Sequence, residues 1–458
     1  MDKRYTGNNE KRYYRCCTHR GFTYCVLFNK RGNRMKQTYY KAIDETLFET
    51  VLDNGMQLFI IPKKGFQKSY VTMTTKYGSI HNDFVRQDGT KVHMPKGIAH
   101  FLEHKMFEKE DGDMFNAFSK YGSSANAFTS YDRTSYLFTT VESLKENIKL
   151  LVDMLQTPYF TKESVEKEVG IIAEEIKMYQ DQPNYRLYYQ TLKAMYHTHP
   201  VRVDIAGTVE SINEITDQTL YDCYNTFYHP KNMVMFIVGN VEPIEMTDYI
   251  NSIIKPFNTF QPVNILPFEE PESVAVNEVK SIDNVQMDKL MLGIKTDNFK
   301  STDNLILTEL KILFALDMLF GEQTDFYQSL LKDQLIDDSF GFNFTIEPTF
   351  SHMFIAGATR DAERLKQRII SQLYNFDLLN DQKAFDLIVR QTIGEYVSSM
   401  NSPEYIANQF TRYFFNDVIL FDILPLLEQL TLAECIETYK STLNNAHITD
   451  SRIVKRNG

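Results

Sequence analysis

Apolar positions along this chain follow two periods, and the switches between them mark out its elements. After the turn Asp53-Asn54-Gly55, a mostly apolar run over 56–61 closed by Pro62 reads as a strand, and a second strand is expected over 70–77. Residues 96–108 then change period, with Ile98, Phe101, Leu102 and Met106 recurring at the spacing of a helix with one buried stripe. A short helix over 115–121 precedes two strand-like runs, 125–129 and 135–141, and the polar joint Tyr131-Asp132-Arg133 makes them a hairpin. Residues 143–155 and 162–179 are helical, the second with Thr161 as its N-cap and Glu163 in its first turn. A buried strand over 233–238, framed by Pro230 and Gly239-Asn240, closes this half.

Pro243, Pro256, Pro262, Pro267 and Pro271 interrupt the next stretch, which reads as a helix and a connector. The order then repeats in outline: a strand over 290–295, helices over 305–320 and around 326–331, and strands over 340–346 and 352–358. Repetition of strand, helix, helix and strand pair points to a duplicated unit. The expected fold class is α+β, with two homologous α/β domains, each a mainly antiparallel sheet packed with helices, joined by a linker. Residues 1–34 read as a basic, weakly patterned extension without regular structure, 35–245 as the first domain, 246–278 as the linker and 279–458 as the second domain.

The length of 458 residues, with 43% apolar and 24% charged side chains, suits a multi-domain globular protein with large cores. Net charge changes the picture more. Of the overall −11, residues 1–34 contribute +7, so the rest is acidic and lacks the basic stripes that phosphate binding draws on. Nucleic acid is therefore not expected as a partner.

Five cysteines without regular spacing make no disulfide framework and fit a reducing compartment. Cys16, Cys17, His19 and Cys25 lie close together but lack the paired C-x-x-C hooks of a zinc ribbon. The apolar run over 22–28 is followed by no small-residue cleavage site, and no stretch approaches the roughly 20 apolar residues of a membrane span. A cytoplasmic location without a membrane partner is expected.

The segment His100-Phe101-Leu102-Glu103-His104 carries the chemistry. Four residues apart on a helix, both imidazoles face one side and can grip a single ion, with the Glu103 carboxylate near the same face. Zinc accepts imidazole nitrogen and carboxylate oxygen and keeps a position open for water in catalytic sites. This order is the inverse of H-E-x-x-H. Glu168 and Glu175, seven residues apart on the helix over 162–179, nearly superimpose on one face. One can reach the metal while the other braces a ligand, and spacing alone leaves open which does which. The helix over 305–320 contains no His, so the second half cannot hold this ion. His197-Thr198-His199-Pro200 reads as a polar loop after a helix, and neither G-x-S-x-G nor a phosphate loop is present.

With these residues in place, the chain resembles the pitrilysin or insulinase family of zinc peptidases, in its short bacterial branch of roughly half-length subunits. The resemblance is carried by Gly97-Ile98-Ala99-His100-Phe101-Leu102-Glu103-His104, by Ser124-Ala125-Asn126-Ala127-Phe128-Thr129, by Glu168 and Glu175, and by Tyr228-His229-Pro230-Lys231-Asn232-Met233. It implies one zinc ion (Zn2+) per chain held by His100, His104 and Glu175, with Glu103 as general base and Glu168 as supporting carboxylate. It also implies that Asn126, Ala127 and Phe128 lie on an edge strand where a peptide substrate adds as a further strand. The family encloses short, unfolded peptides in a chamber of four such domains. A chain of two domains would then need a partner, as a homodimer or as a heterodimer with a metal-free homologue.

The family often places an Arg and a Tyr from its second half near the substrate carbonyl, yet residues 331–359 contain neither. Arg412 and Tyr413 are the nearest polar candidates in sequence. Zinc-dependent endopeptidase activity on small peptides is the expected function. The alternatives are a processing peptidase for one cognate precursor and a non-catalytic scaffold of the same fold.

Overall fold

The computed structural model describes residues 15–19, 22–28, 34–86, 88–257, 262–296 and 304–456, the first two segments by backbone alone. Packing divides the chain into two units. The first comprises Met1–Ile172, Ile205–Leu266 and Val397–Phe421, and the second Ala173–Asp204, Pro267–Tyr396 and Asp422–Gly458.

The first unit is built on a nine-stranded sheet in the order Arg15–His19, Phe22–Phe28, Arg34–Tyr40, Glu45–Val51, Gln57–Pro62, Met233–Gly239, Ser69–Thr75, Thr134–Thr140, Ser124–Thr129. Neighbours are antiparallel except Gln57–Pro62 and Met233–Gly239, which run parallel. Met233–Gly239 and Ser69–Thr75 are buried at every position, as strands covered on both faces are, so neither shows strong alternation in sequence.

The register assigns the two faces. Phe59 pairs with Phe236, and both rings pack on Phe410 of helix Pro403–Phe414. The opposite face presents Tyr136 to Phe107 and Phe138 to Phe118, on the side of helices Ile98–Met106 and Met114–Lys120.

The second unit repeats the core of this plan. Its five strands run in the order Glu278–Asp283, His447–Lys455, Asp288–Lys295, Phe350–Thr359, Gly341–Glu347, and its one parallel pair is again the first two. The same connectivity is found in Gln57–Pro62, Met233–Gly239, Ser69–Thr75, Thr134–Thr140 and Ser124–Thr129. In both units two helices separate the third strand of this order from the edge hairpin: Ile98–Met106 with Met114–Lys120, and Leu305–Phe320 with Asp325–Lys332. The α+β duplication expected from sequence is therefore present.

Two findings differ from the sequence reading. Each unit takes a helix from the other's stretch of sequence: Pro183–Met195 packs on Asp288–Lys295 and His447–Lys455, and Pro403–Phe414 packs on Met233–Gly239 and Ser69–Thr75. Gly293 makes the first contact possible, because a Cβ there would lie 2.6 Å from Met195 Sδ and 2.7 Å from Thr191 Cγ2. The packed units are thus interleaved rather than the contiguous blocks 35–245 and 279–458. Secondly, the stretch 1–34 contributes the backbone hairpin of Arg15–His19 and Phe22–Phe28, which extends the first sheet. The side chains of Cys16, Cys17, His19 and Cys25 lie outside the described residues. The helix expected after Pro243 is Pro243–Ile253, which overlaps the start of the 246–278 stretch, and the connector beyond it includes the short strand Asn264–Ile265, which pairs with Asp83–Val85.

Candidate metal centre

Helix Ile98–Met106 begins at a close backbone contact. Gly97 holds φ at 89°, a left-handed conformation, and a Cβ on it would meet the Ala206 carbonyl oxygen at 2.4 Å. Ser211 Oγ donates to the neighbouring Lys96 carbonyl at 2.8 Å. These contacts fix where the helix starts. Ile98, Ala99, Phe101, Leu102 and Met106 are buried, which turns His100 and His104 to one side, with ring centroids 4.6 Å apart. Burial, and then the neighbouring His104, push the His100 imidazole down to about 3, so its ring is neutral near pH 7, the form that binds metals.

Helix Lys162–Gln180 starts in the first unit and continues unbroken past Ile172. It presents Glu168 and Glu175 on one face, as the seven-residue spacing requires. Oε1 of Glu168 lies 3.0 Å from His104 Nδ1. One ligand atom each of His100, His104 and Glu175 lies within 4.8 Å of the others. Among the described residues, this is the one group of three or more His, Cys, Asp or Glu so arranged. The structure thus separates two carboxylates that spacing alone left equivalent: Glu175 lies within reach of the imidazole pair, and Glu168 meets Nδ1 of His104.

Glu103, only 8% exposed, accepts a hydrogen bond from Thr129 Oγ1 at 2.6 Å. Beneath it lie the hydroxyls of Tyr136 and Tyr228, 2.7 Å apart, both pushed up, chiefly by burial, and so neutral. A cavity of about 550 Å3 opens here, lined by Glu103, His104 and Glu168 and by Asn126 and Ala127. These last two belong to edge strand Ser124–Thr129, where Asn126, Ala127 and Phe128 pair with Leu137, Tyr136 and Ser135.

Sequence reasoning quoted Thr129 only as the end of a motif, with no role of its own, and did not single out Phe115 or Ile171. Phe115 and Ile171 also line the cavity and are 42% and 49% exposed. An apolar Ile171 on the helix face between Glu168 and Glu175 was the available signal. Arg412 and Tyr413 are not brought to the cavity, because helix Pro403–Phe414 covers the opposite face of the sheet.

His197-Thr198-His199, read as a polar loop, is a backbone cradle in the second unit. Its three N–H groups donate to the Glu270 carboxylate at 2.7–2.8 Å.

A duplicated α+β fold whose first half bears H-x-x-E-H on a helix defines an inverzincin type of chain. The family model described as insulinase (peptidase family M16) matches residues 63–209, and that of the peptidase M16 inactive domain matches 214–391. The chain is 44% identical to the uncharacterized zinc protease YmfH of Bacillus subtilis, over 92% of its own length and all of that protein's. It is 25% identical to the zinc protease PqqE of Helicobacter pylori, over 78% and 83% of the two chains. A crystal structure of an M16-like peptidase from Alicyclobacillus acidocaldarius superposes with a TM-score of 0.85 at 34% identity, covering 90% of this chain and 99% of the other. The chain belongs to the insulinase family, peptidase family M16.

Proposed function

We propose that this protein is a zinc-dependent endopeptidase acting on short, unfolded peptides. The observation that carries the reading is the convergence of His100, His104 and Glu175, from two separate helices, with Glu103 and His104 lining the adjoining cavity. Two imidazoles and one carboxylate suit zinc, and three protein donors leave a position open for solvent.

His104 turns Nδ1 to Glu168, which leaves Nε2 as the ring atom for the ion and fixes the tautomer. When bound, zinc supplies Lewis acidity, polarising the scissile carbonyl and acidifying water. Glu103 then acts as general base, taking the proton of the attacking water and returning it to the leaving nitrogen. Thr129 holds that carboxylate in place through its hydroxyl. The open side of Ser124–Thr129 accepts peptide backbone as an added strand, with Asn126, Ala127 and Phe128 in contact, a mode that reads main chain before side chains.

We further infer that a second chain completes the enclosure, either another copy or a metal-free homologue. A reducing location agrees with the free, buried Cys223 and Cys435. Among the described residues no helix is long and apolar enough to cross a membrane.

The test is turnover of quenched fluorescent peptides by the wild-type chain and by Glu103→Gln. The variant should keep its metal and lose at least about a hundredfold in kcat, as expected for loss of a general base. Equal turnover by the two proteins rejects the role of Glu103.

A further inference from the structure

Position 105 belongs to the buried stripe of the metal helix, four residues after Phe101 and seven after Ile98, yet a lysine stands there. Its side chain is fully buried. An ammonium group is costly in such a place unless it is hydrogen-bonded. Lys105 Nζ pairs with Glu108 and donates to the Ser164 carbonyl at 3.3 Å. Ser164 lies in the first turn of Lys162–Gln180, the helix that carries Glu168 and Glu175.

Lys109, four residues on, reaches the same region from the other side. Its Nζ donates to the carbonyls of Met154 and Thr157, both at 2.8 Å. These close helix Leu144–Gln156, and residues 157–161 then lead into Lys162–Gln180. Two lysines therefore grip the join between the helices at its entrance and at its exit.

We propose that Lys105 and Lys109 are positioning residues that clamp this join to the end of the metal helix and so set the distance from Glu168 and Glu175 to the two imidazoles. The inference rests on the zinc site proposed above. Eleven residues separate Ser164 from Glu175, a rise of about 16 Å, so a tilt of only about 4° at the helix start displaces Glu175 by roughly 1 Å. Metal ligands tolerate about 0.2 Å. A clamp at the first turn therefore controls a ligand three turns away.

The test uses the full chain carrying Lys105→Met, Lys109→Met or Lys105→Arg. Zinc affinity is read by chelator competition, kcat and KM on a fluorogenic peptide, and thermal melting on the metal-free protein. Methionine fills the volume of lysine without a donor, so the metal-free variants should melt within a few degrees of wild type. Lys105→Met should bind zinc at least about tenfold more weakly and lose kcat with little change in KM, and Lys105→Arg should recover most of both. If Lys105→Met does not fold, Lys109→Met carries the same criteria. Wild-type zinc affinity in folded Lys105→Met or Lys109→Met, with zinc bound by the wild-type protein, overturns the clamp alone. A wild-type chain that binds no zinc overturns the proposed function as well.

Discussion

Nδ1 of His104 stands 3.0 Å from Oε1 of Glu168, and this contact joins the two helices proposed to supply the metal donors. It orients the ring of one donor through an element that also carries another. Glu168→Ala should therefore weaken zinc binding by about 10- to 100-fold, the usual effect of removing a partner behind a metal ligand. Glu168→Gln, which still offers an oxygen to the ring, should fall between. Chelator competition measures both.

Thr129 Oγ1 donates to Glu103 at 2.6 Å, and the two residues come from different elements. Thr129→Val keeps the shape and removes the donor. The expected outcome is a loss of roughly tenfold in kcat, corresponding to about 1.4 kcal/mol, with zinc affinity unchanged. Steady-state kinetics together with metal titration would show this separation.

Gly97 combines a left-handed backbone with carbonyl contact at the root of the metal helix. Gly97→Ala should cost on the order of 1–3 kcal/mol and lower the melting temperature by several degrees. Gly65 is also left-handed, but nothing lies within 4 Å of a Cβ there, so Gly65→Ala should cost less.

Glu270 provides a pH test in the second unit. Burial alone would raise its pKa, but Lys295 and the N–H groups of His197, Thr198 and His199 outweigh that and bring it down to about 2. A carboxylate held below its ordinary value stabilises the fold fully above that ordinary value, and the contribution fades as pH falls toward 2. At pH 7 wild type should exceed Glu270→Gln by on the order of 1–2 kcal/mol after solvent screening, and the gap should shrink between about pH 4.5 and 2. Thermal melts of both proteins across that range provide the comparison.

Much of this architecture was legible because local pattern and final burial agree. The helix read over 305–320 is Leu305–Phe320, and the strand read over 56–61 is Gln57–Pro62. Glu45–Val51 escaped notice because a charged residue occupies an inward position, where Glu45 is paired with buried Lys63. The exchange of helices between the halves was not legible either. A stripe such as Leu187, Leu192 and Met195 says that a face is buried, not which sheet covers it.

The candidate site divides along the same line. His100, Glu103 and His104 sit in one pentapeptide, where helical geometry fixes their relation. Glu168 and Glu175 could be singled out by their spacing, but their separate placements depend on how two helices cross. The Thr129 contact spans 26 residues and follows from the hairpin's placement beside the metal helix, which no local pattern encodes.

The most direct test is the zinc content of the purified chain after exhaustive dialysis, measured for wild type, Glu103→Gln and Glu175→Ala. One zinc per chain is expected in the first two and little in the third. Full zinc retention by Glu175→Ala, or none in wild type after metal is supplied, would contradict the three-donor site on which the account stands.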